Sequence, residues 1–548
     1  DDPVLQDMLA RQTSERMRTI VTTIQRRQNQ AIRTEGPRHL LVHGPAGSGK
    51  TSVALHRAAW LLYRYRETLT REDILILSPN AIFSDYISEV LPSLGEDPVP
   101  TLTFMELIRE KIHGYRLEDT IRQTETLLTR RGAPETEKRM AAIAYKSSHA
   151  FLKQLDAYVA ALEEEWAYFK PILYRDTPIM ELTEIKKLYK RTRGSVAARL
   201  ERVQAVGLNR IHQYRKVLAQ EILESLSPED GYVDRREMRA QARLRAAQEL
   251  REIRDRWCAD TNLTGAQAYA DCLTRIAGTE LGDISQICRE TVRYVRAGQA
   301  LRAEDIGAAA YLSARLDSLH RDAGVRHIIL DEVQDYTPVQ LAYLAQAYPQ
   351  SRLTLVGDIN QRALVGNHLS RLTDIGLSDM LEVELSVSYR STSEITRFCT
   401  GILGDGATGT IRAVDRHGPP VGRIICDDGE ALAEKAQALA AEWADAYGSV
   451  ALITRTMDTA RRIHAGLGES APVHLVEEGQ HTFVHGAVIL PVYLAKGLEF
   501  DAVIVLCPEG DAYDEEERLL YYTACSRALH ELAVISEGKI PLSGHGEV

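Results

Sequence analysis

The stretch HLLVHGPAGSGKTSVALHRAAWLL, residues 39–62, joins an apolar run to a glycine-rich bend and then to a helical pattern. Gly44, Gly49, Lys50 and Thr51 stand at the fixed positions of the phosphate-loop pattern G-x-x-x-x-G-K-[ST]. Glycines there let backbone N–H groups converge on phosphate oxygens, and the following helix adds its positive N-terminal end. The alternative is a chance glycine turn, but the flanking strand and helix patterns favour a nucleotide-binding loop.

The composition limits the class of protein. A chain of 548 residues with 44% hydrophobic content is long enough for several domains with real cores. Its net charge of −11 excludes a uniformly basic surface, so any nucleic-acid contact must be local. Seven cysteines without a C-x-x-C pair indicate a reducing compartment. Because no apolar stretch is long enough to span a bilayer and no signal peptide precedes the first strand, we expect a cytoplasmic protein without membrane contact.

Two α/β regions flank a helical one. Between about residues 110 and 320, strand signals nearly vanish and long charged segments carry helical periodicity. Apolar strand patterns occur on both sides of this region, at 39–43, 73–78, 327–331, 352–357, 422–426, 449–454, 487–490, 502–506 and 532–536. We therefore predict an α/β fold of two parallel-sheet lobes. The first lobe is expected at 1–110 and 321–380, a helical insertion at 111–320, and a second lobe without a large insertion at 381–548.

An acidic pair follows one of the predicted strands. The segment IILDEVQD places Asp331 and Glu332 at the C-terminal end of an apolar run. In a phosphate-loop enzyme the first acid holds Mg²⁺, together with the hydroxyl of Thr51, and the second orients or deprotonates the attacking water. Lys50 would reach the β- and γ-phosphates. An acidic pair alone is a weak signal, but behind a phosphate loop it predicts ATP hydrolysis with Mg²⁺.

Six further segments carry a family resemblance. DEVQD (331–335), LVGDINQ (355–361), SYRS (388–391), AKGLEFD (495–501) and LLYYTACSRA (519–528) resemble motifs II to VI of superfamily 1 helicases of the UvrD/Rep type. IQRRQNQAI (24–32) is similar to the Q motif of those helicases, which reads adenine. The resemblance implies two RecA-like lobes that bind ATP and Mg²⁺ between them.

The resemblance also implies roles for individual residues. Gln28 would read the adenine edge, Tyr389 would stack on the adenine ring, and Glu499 would touch the ribose. The phosphates would lie against the loop residues Gly44, Gly47, Gly49, Lys50 and Thr51.

Four residues are expected to act on the reaction itself. Glu332 would be the general base, and Gln361 would sense the γ-phosphate. Arg390 and Arg527 would be arginine fingers from the second lobe. Charge builds on the transferred phosphoryl group, and cations from another lobe stabilise it only when the cleft closes. The alternative for the two arginines is ordinary surface ion pairing.

The segments expected to contact a nucleic-acid strand depart from the helicase pattern. Helicases of this type follow the motif III glutamine with aromatic residues that stack on bases, whereas this chain has RALVGNHL at 362–369. Pro491 and Tyr493 stand in motif V where those helicases carry Thr and His. This combination, with the runs TIQRRQNQAIR, VALHRAAWLLYRYR, YISEVLPSLGE and YLAKGLEFDAV, resembles the HelD branch, bacterial ATPases that bind RNA polymerase and release it from nucleic acid.

The HelD resemblance has consequences for the insertion and for the N-terminus. It implies that residues 111–320 form an arm that reaches into the DNA channel of the RNA polymerase core. HelD proteins also carry an N-terminal coiled-coil arm, for which there is no room before Gln28. We therefore expect either a fragment of a longer protein or a homologue without that arm.

A basic cluster lies within the insertion. Ten basic residues and one acid, Glu201, occur between residues 186 and 216. Such a cluster suits phosphate backbones or an acidic protein face, and the alternative is a solvated helix surface. The expected contact residues for nucleic acid or a protein partner are Lys186, Lys187, Lys190, Arg191 and Arg193.

Three functional hypotheses remain at the level of sequence. The first is a bacterial, monomeric, HelD-like ATPase that remodels complexes of RNA polymerase and binds DNA weakly and without sequence preference. The second is a 3′-to-5′ DNA helicase or translocase of the UvrD/Rep type that acts in repair. The third is a non-catalytic, nucleotide-gated binding module, against which the set of Lys50, Glu332 and Arg527 argues.

Overall fold

The structure is a computed structural model, in which two large parallel sheets dominate. It describes residues 26–78, 98–112, 114–226, 234–298, 300–316, 322–361, 377, 379–388, 391–404, 412–413, 416–467, 473–477 and 486–542. The strands are β1 (His39–His43), β2 (Ile74–Ser78), β3 (Thr101–Thr103), β4 (Arg116–Leu117), β5 (Ile172–Tyr174), β6 (Thr177–Met180), β7 (Ala300–Leu301), β8 (His327–Leu330), β9 (Arg352–Gly357), β10 (Met380–Glu384), β11 (Val387–Ser388), β12 (Arg412–Ala413), β13 (Gly422–Cys426), β14 (Ser449–Thr454), β15 (Val473–Leu475), β16 (Gly486–Pro491), β17 (Phe500–Cys507) and β18 (Ala528–Glu537).

Helices connect the strands, and most of those between β3 and β8 form the insertion. Residues 26–33 are also helical. The longer helices are α1 (Lys50–Arg64), α2 (Phe104–Arg109), α3 (Thr120–Thr129), α4 (Pro134–Lys146), α5 (His149–Glu164), α6 (Leu182–Arg191), α7 (Val196–Ser225), α8 (Arg235–Glu249), α9 (Arg251–Asp260), α10 (Gly265–Thr279), α11 (Asp283–Arg296), α12 (Ala303–Leu316), α13 (Pro338–Ala347), α14 (Ser393–Leu403), α15 (Gly429–Ala446), α16 (Met457–Gly466) and α17 (Arg518–Cys525).

The first sheet has the strand order β10-β1-β9-β8-β2-β3, and all of its neighbouring strands are parallel. Because side chains alternate along a strand, β1 serves two cores. Leu40 and Val42 pack in one cluster with α1, whereas Leu41 belongs to a second cluster that includes helices of the insertion. Burial on both faces explains the continuous apolar run before the phosphate loop.

The edge of the first sheet corrects one predicted boundary. β10 pairs with β1 from Met380 to Glu384, so the first lobe continues past residue 380, where it was predicted to end. The segment MLEVE has acids at alternate positions and a weak apolar pattern, which an edge strand tolerates. A smaller correction concerns the strand predicted at 73–78, which begins at Ile74 because Asp73 ends a 3₁₀ turn.

The insertion is a helical body that shares its core with the first sheet. Side chains of α5, α10 and α12 belong to the same buried cluster as Leu41, Leu75 and Leu77 of the sheet. α7 is 30 residues long and packs against α8 in a hairpin. Gly207 of α7 lies against Trp257 of α9 so closely that a Cβ atom there would come within 2.3 Å of the indole ring.

The second sheet has the order β13-β18-β17-β14-β16-β15, again with parallel neighbours throughout. Its strands are longer and more deeply buried at the centre, where Ile504 and Val505 of β17 have no exposed surface. Two parallel-sheet lobes with a helical insertion in the first confirm the predicted fold class. Within the described residues, none of the helices combines the length and the low polarity needed to cross a membrane.

Candidate active site

The phosphate loop forms the bend between β1 and α1. Gly47 and Gly49 adopt positive φ angles of 71° and 81°, which glycine reaches without strain. A Cβ at Gly44 would lie 2.1 Å from the carbonyl oxygen of Leu385, so only glycine fits there. The ammonium of Lys50 is buried and donates a hydrogen bond to the carbonyl of Pro45 at 2.7 Å. The predicted strand–loop–helix is therefore present, with its lysine turned into the loop.

The acidic pair lies at the carboxyl end of β8, directly across from the loop. Thr51 donates a hydrogen bond from Oγ1 to Asp331 Oδ2 at 2.8 Å, and Glu332 donates its backbone N–H to Asp331 Oδ1 at 2.9 Å. Glu332 has φ 53° and ψ 46°, a left-handed conformation that costs energy in a residue other than glycine. The strained backbone separates the two carboxylates, so that Asp331 faces Thr51 while Glu332 turns toward Gln334.

The pKa values of the two carboxylates shift in opposite directions from their usual values. Burial, followed by the charge of Glu332, raises the pKa of Asp331. Burial also acts to raise the pKa of Glu332, but the charges of Lys496, Arg527 and Lys50 outweigh it and lower that pKa below its usual value. Glu332 is thus held as a carboxylate among three cations, which is the state that a general base requires.

Gln361 connects the two lobes at the site. It donates from Nε2 to Asp358 Oδ2 at 2.8 Å, and its Oε1 accepts a hydrogen bond from the guanidinium of Arg527. Its backbone carbonyl accepts from Lys496 Nζ at 2.9 Å and from Gln334 Nε2 at 3.1 Å. Both cations belong to the second lobe, so these two contacts of Gln361 form only where the second lobe is docked against the first.

The structure locates the other predicted nucleotide residues less completely. Gln28 donates from Nε2 to the backbone carbonyl of Ser48 at 3.2 Å, which places the Q-motif helix against the phosphate loop. Glu499 is half-buried just before β17, on the turn that follows Lys496. Tyr389 and Arg390 lie outside the described residues, and so does the segment 362–369 after motif III.

The residues of the insertion that were predicted to contact nucleic acid or a protein partner lie from the middle of α6 to the segment just after it. Lys187, Lys190, Arg191 and Arg193 are exposed. Lys186 is partly buried and forms an ion pair with Glu165. Neighbouring acids therefore neutralise part of the basic cluster, but most of its cations face solvent.

Two residues that contact the predicted site residues were missed by the sequence prediction. Lys496 is buried and forms an ion pair with Asp335, the last residue of motif II, in addition to its bond to Gln361. Gln334 joins Glu332 to the backbone of Asp358 and Gln361. The signal was present, because both residues lie inside quoted motifs. Apart from Glu332, which is two residues from Gln334, their partners are more than 20 residues away in sequence.

The residues around the loop fit a Mg²⁺–nucleotide complex. Thr51 and Asp331 offer adjacent oxygen ligands, which Mg²⁺ prefers. Ser48 Oγ is buried in the loop and has no hydrogen-bond partner among the described residues, which leaves it available to a ligand. Bound there, Mg²⁺ would neutralise charge on the phosphates. The protein side chains would supply the remaining functions: Lys50 binds phosphate, Glu332 accepts a proton from water, and Arg527 stabilises the charge on the transferred group.

Two family models match the chain. A model described as an AAA domain matches residues 28–367, which is more than half of the chain, and a model described as a UvrD-like helicase C-terminal domain matches residues 486–535. The chain belongs to the UvrD/Rep superfamily 1 helicases. The first match begins within the Q motif and extends past motif III, and the second match covers motifs V and VI. Both matches indicate an ATP-hydrolysing enzyme.

One solved structure is also similar to part of the chain. The C-terminal domain of a possible DNA helicase from Lactobacillus plantarum WCFS1 is 30% identical to this chain over 29% of this chain and 95% of that chain, with a TM-score of 0.25. No curated protein matches the chain.

Proposed function

We propose that this helicase-family ATPase binds the RNA polymerase core and uses ATP hydrolysis with Mg²⁺ to remodel it or release it from nucleic acid. The observation that carries the proposal is the contrast between the phosphate loop, acidic pair and Arg527 of the described ATP site and the altered segment after motif III. Lys50, Glu332 and Arg527 lie together in the cleft between the lobes. The segment 362–369 after motif III contains no aromatic residue for base stacking.

The binding energy that the absent aromatic residues would supply favours action on a protein partner over movement along a nucleic-acid strand. Base stacking on aromatic side chains supplies ~1–3 kcal/mol per base in proteins that grip single strands. Without two such contacts the grip weakens by roughly 30-fold or more, at ~1.4 kcal/mol per decade. Phosphate contacts alone give loose, non-specific DNA binding, which is the role proposed here for the basic cluster around Lys187 and Lys190.

The α7–α8 hairpin is the proposed polymerase-binding arm. α7 spans about 45 Å at 1.5 Å per residue. Its outer half buries few side chains, and Val217 on α7 and Leu244 on α8 are each 52% exposed. α8 adds a row of exposed arginines, namely Arg235, Arg236, Arg239, Arg243 and Arg245. A basic surface with exposed apolar residues suits a channel lined by nucleic acid and by protein.

A second candidate function follows from the family match itself. The model that matches residues 486–535 is described as UvrD-like, and a UvrD-like motor would be a 3′-to-5′ DNA helicase or translocase acting in repair. The ATP chemistry is the same in both candidates, because Lys496 and Arg527 enter the site in either case. The candidates differ only in what the moving lobes act upon.

Two assays on one preparation separate the candidates. The first measures ATPase activity with and without purified RNA polymerase core, and the second measures unwinding of a tailed DNA duplex. We expect stimulation by polymerase and no efficient unwinding. Unwinding without any response to polymerase would establish the DNA helicase instead. A Lys50→Ala variant, which loses the main counter-charge for phosphate, is the matched control in both assays.

A further inference from the structure

Helix α3, at the base of the insertion, is embedded in the second lobe. Leu128 of this helix is 3% exposed and belongs to the hydrophobic core of the second lobe, not to that of the first. Its backbone carbonyl accepts a hydrogen bond from Arg455 of the second lobe at 3.1 Å. One helix thus belongs to the insertion by sequence and to the second lobe by packing.

Glu125 of α3 holds the segment that contains motif V. Its carboxylate accepts a hydrogen bond from the hydroxyl of Tyr493 at 2.6 Å. It also accepts the backbone N–H groups of Met457 at 3.0 Å and Asp458 at 3.3 Å, the first residues of α16. A carboxylate at a helix N-terminus is stabilised by the helix dipole, so the contact has a fixed direction and a favourable charge.

A second contact holds the segment that leads to motif VI. Arg131, just after α3, lies 2.8 Å from Asp514 and 3.0 Å from Glu517. Arg455 is buried beside it and pairs with Asp511 at 2.6 Å and Glu517 at 2.7 Å. The acids of residues 511–517 are therefore fixed between a cation of the insertion and a cation of the second lobe.

Both contacts are close in sequence to the cations of the ATP site. Tyr493 precedes Lys496 in a buried turn, in which the backbone of Leu494 bonds to Pro491 at 3.0 Å. Glu517 immediately precedes α17, a buried helix of eight residues that ends two positions before Arg527. A turn and a single short helix are the connections between these contacts and the two cations, so a shift of α3 would have a short path to both.

We infer that Glu125 and Arg131 are positioning residues for hydrolysis, and that α3 sets the placement of Lys496 and Arg527 against Gln361. A load on the insertion would reach the ATP site through this helix, without passing through the first sheet. The inference deepens the proposed function, because it rests on ATP hydrolysis by the same site and names the element through which a bound partner would regulate it.

The test uses the full chain with Glu125→Gln, Tyr493→Phe and the double variant. Tyr447→Phe is the matched control, because Tyr447 donates to Glu531 at 2.7 Å entirely within the second lobe. For the single variants we expect kcat to fall about fivefold or more with the KM for ATP changed less than ~2-fold, since the phosphate loop with Lys50 and Thr51 belongs to the first lobe. The double variant should be no worse than the poorer single variant, because both break one contact. The control should match the wild type.

Hydrogen exchange supplies a readout that is independent of turnover. We expect residues 491–499 to lose protection in Glu125→Gln and Tyr493→Phe, while residues 39–51 of the first lobe remain protected. If the wild type shows no ATPase activity, the proposed function fails, and the exchange pattern still decides the inference. Unchanged protection of residues 491–499, or a kcat equal to that of the Tyr447→Phe control, would overturn it.

Discussion

The two halves of the ATP site are held in different ways. The first half consists of residues that follow β1 and β8, two parallel strands of one sheet with β9 between them, so the geometry of that sheet alone brings them together. These residues are Lys50, Thr51, Asp331 and Glu332. In the second lobe, Lys496 follows strand β16 and Arg527 follows helix α17, and their positions at Gln361 depend on how the lobes dock. Changes in the second half that abolish hydrolysis are therefore expected to leave ATP binding intact. Changes that abolish ATP binding are expected to abolish hydrolysis as well.

In the half of the ATP site that depends on docking of the lobes, the substitution with the largest expected effect on hydrolysis is Arg527→Ala. The guanidinium bonds to Gln361 across the cleft and is expected to stabilise charge only during phosphoryl transfer. An arginine finger contributes roughly 10³–10⁵ to kcat, and we expect a loss of that order with ATP affinity changed only a few-fold. Steady-state ATPase kinetics and binding of a fluorescent ATP analogue measure the two quantities. Arg518→Ala is the control, because Arg518 bonds to Ile402 within its own lobe. An equal loss in both variants would contradict the assignment.

The corresponding change in the half fixed by the first sheet is Glu332→Gln. The amide keeps the shape of the carboxylate but accepts no proton from water, so kcat should fall by ~10²–10⁴-fold while ATP still binds. Single-turnover hydrolysis with radiolabelled ATP measures the step directly. Glu384→Gln, an exposed acid at the end of β10, is the matched control. Normal turnover in Glu332→Gln would remove this residue from the role of general base.

The sequence predicts the half of the site that the first sheet fixes better than the half that depends on docking of the lobes. The phosphate loop and the acidic pair were predicted correctly in position because each is a continuous motif beside an apolar strand, and the fold class followed from the same strands. The role of Lys496 was not predicted, since its partners Asp335 and Gln361 lie on another lobe. The end of the first lobe was placed too early, because β10 has a weak apolar pattern. The contact between Glu125 and Tyr493 joins residues 368 positions apart, which no local pattern can reveal.

A substitution in the insertion, away from the ATP site, is expected to lower the stability of the protein without changing ATP binding. The substitution Gly207→Ala would place a Cβ 2.3 Å from the ring of Trp257. The overpacking should cost ~1–3 kcal/mol, more than the ~1 kcal/mol that alanine gains over glycine in a helix. Thermal unfolding should show the loss, with ATP binding by the folded protein unchanged. Gly278→Ala, at a helical glycine with no heavy atom within 4 Å of the added Cβ, is expected to be neutral or stabilising. A drop in melting temperature for both variants would indicate a general intolerance of α7 and α10 instead of the clash.

The smallest expected effect concerns the exposed cations of the insertion, which take no part in either half of the ATP site. Lys187→Glu combined with Lys190→Glu reverses two charges on α6, and Lys435→Glu combined with Arg462→Glu reverses two exposed charges on the second lobe. If α6 binds phosphates, the first pair alone should weaken DNA binding and reduce the slope of log K against log salt, by ~0.9 for each duplex phosphate that the protein no longer neutralises. Binding at several salt concentrations measures that slope. ATPase activity without DNA or polymerase should be unchanged in both pairs, because neither touches Gln361 or its partners. Equal slopes for the two pairs would make the basic cluster a solvated helix surface and leave the α7–α8 hairpin as the part of the insertion to be tested for partner binding.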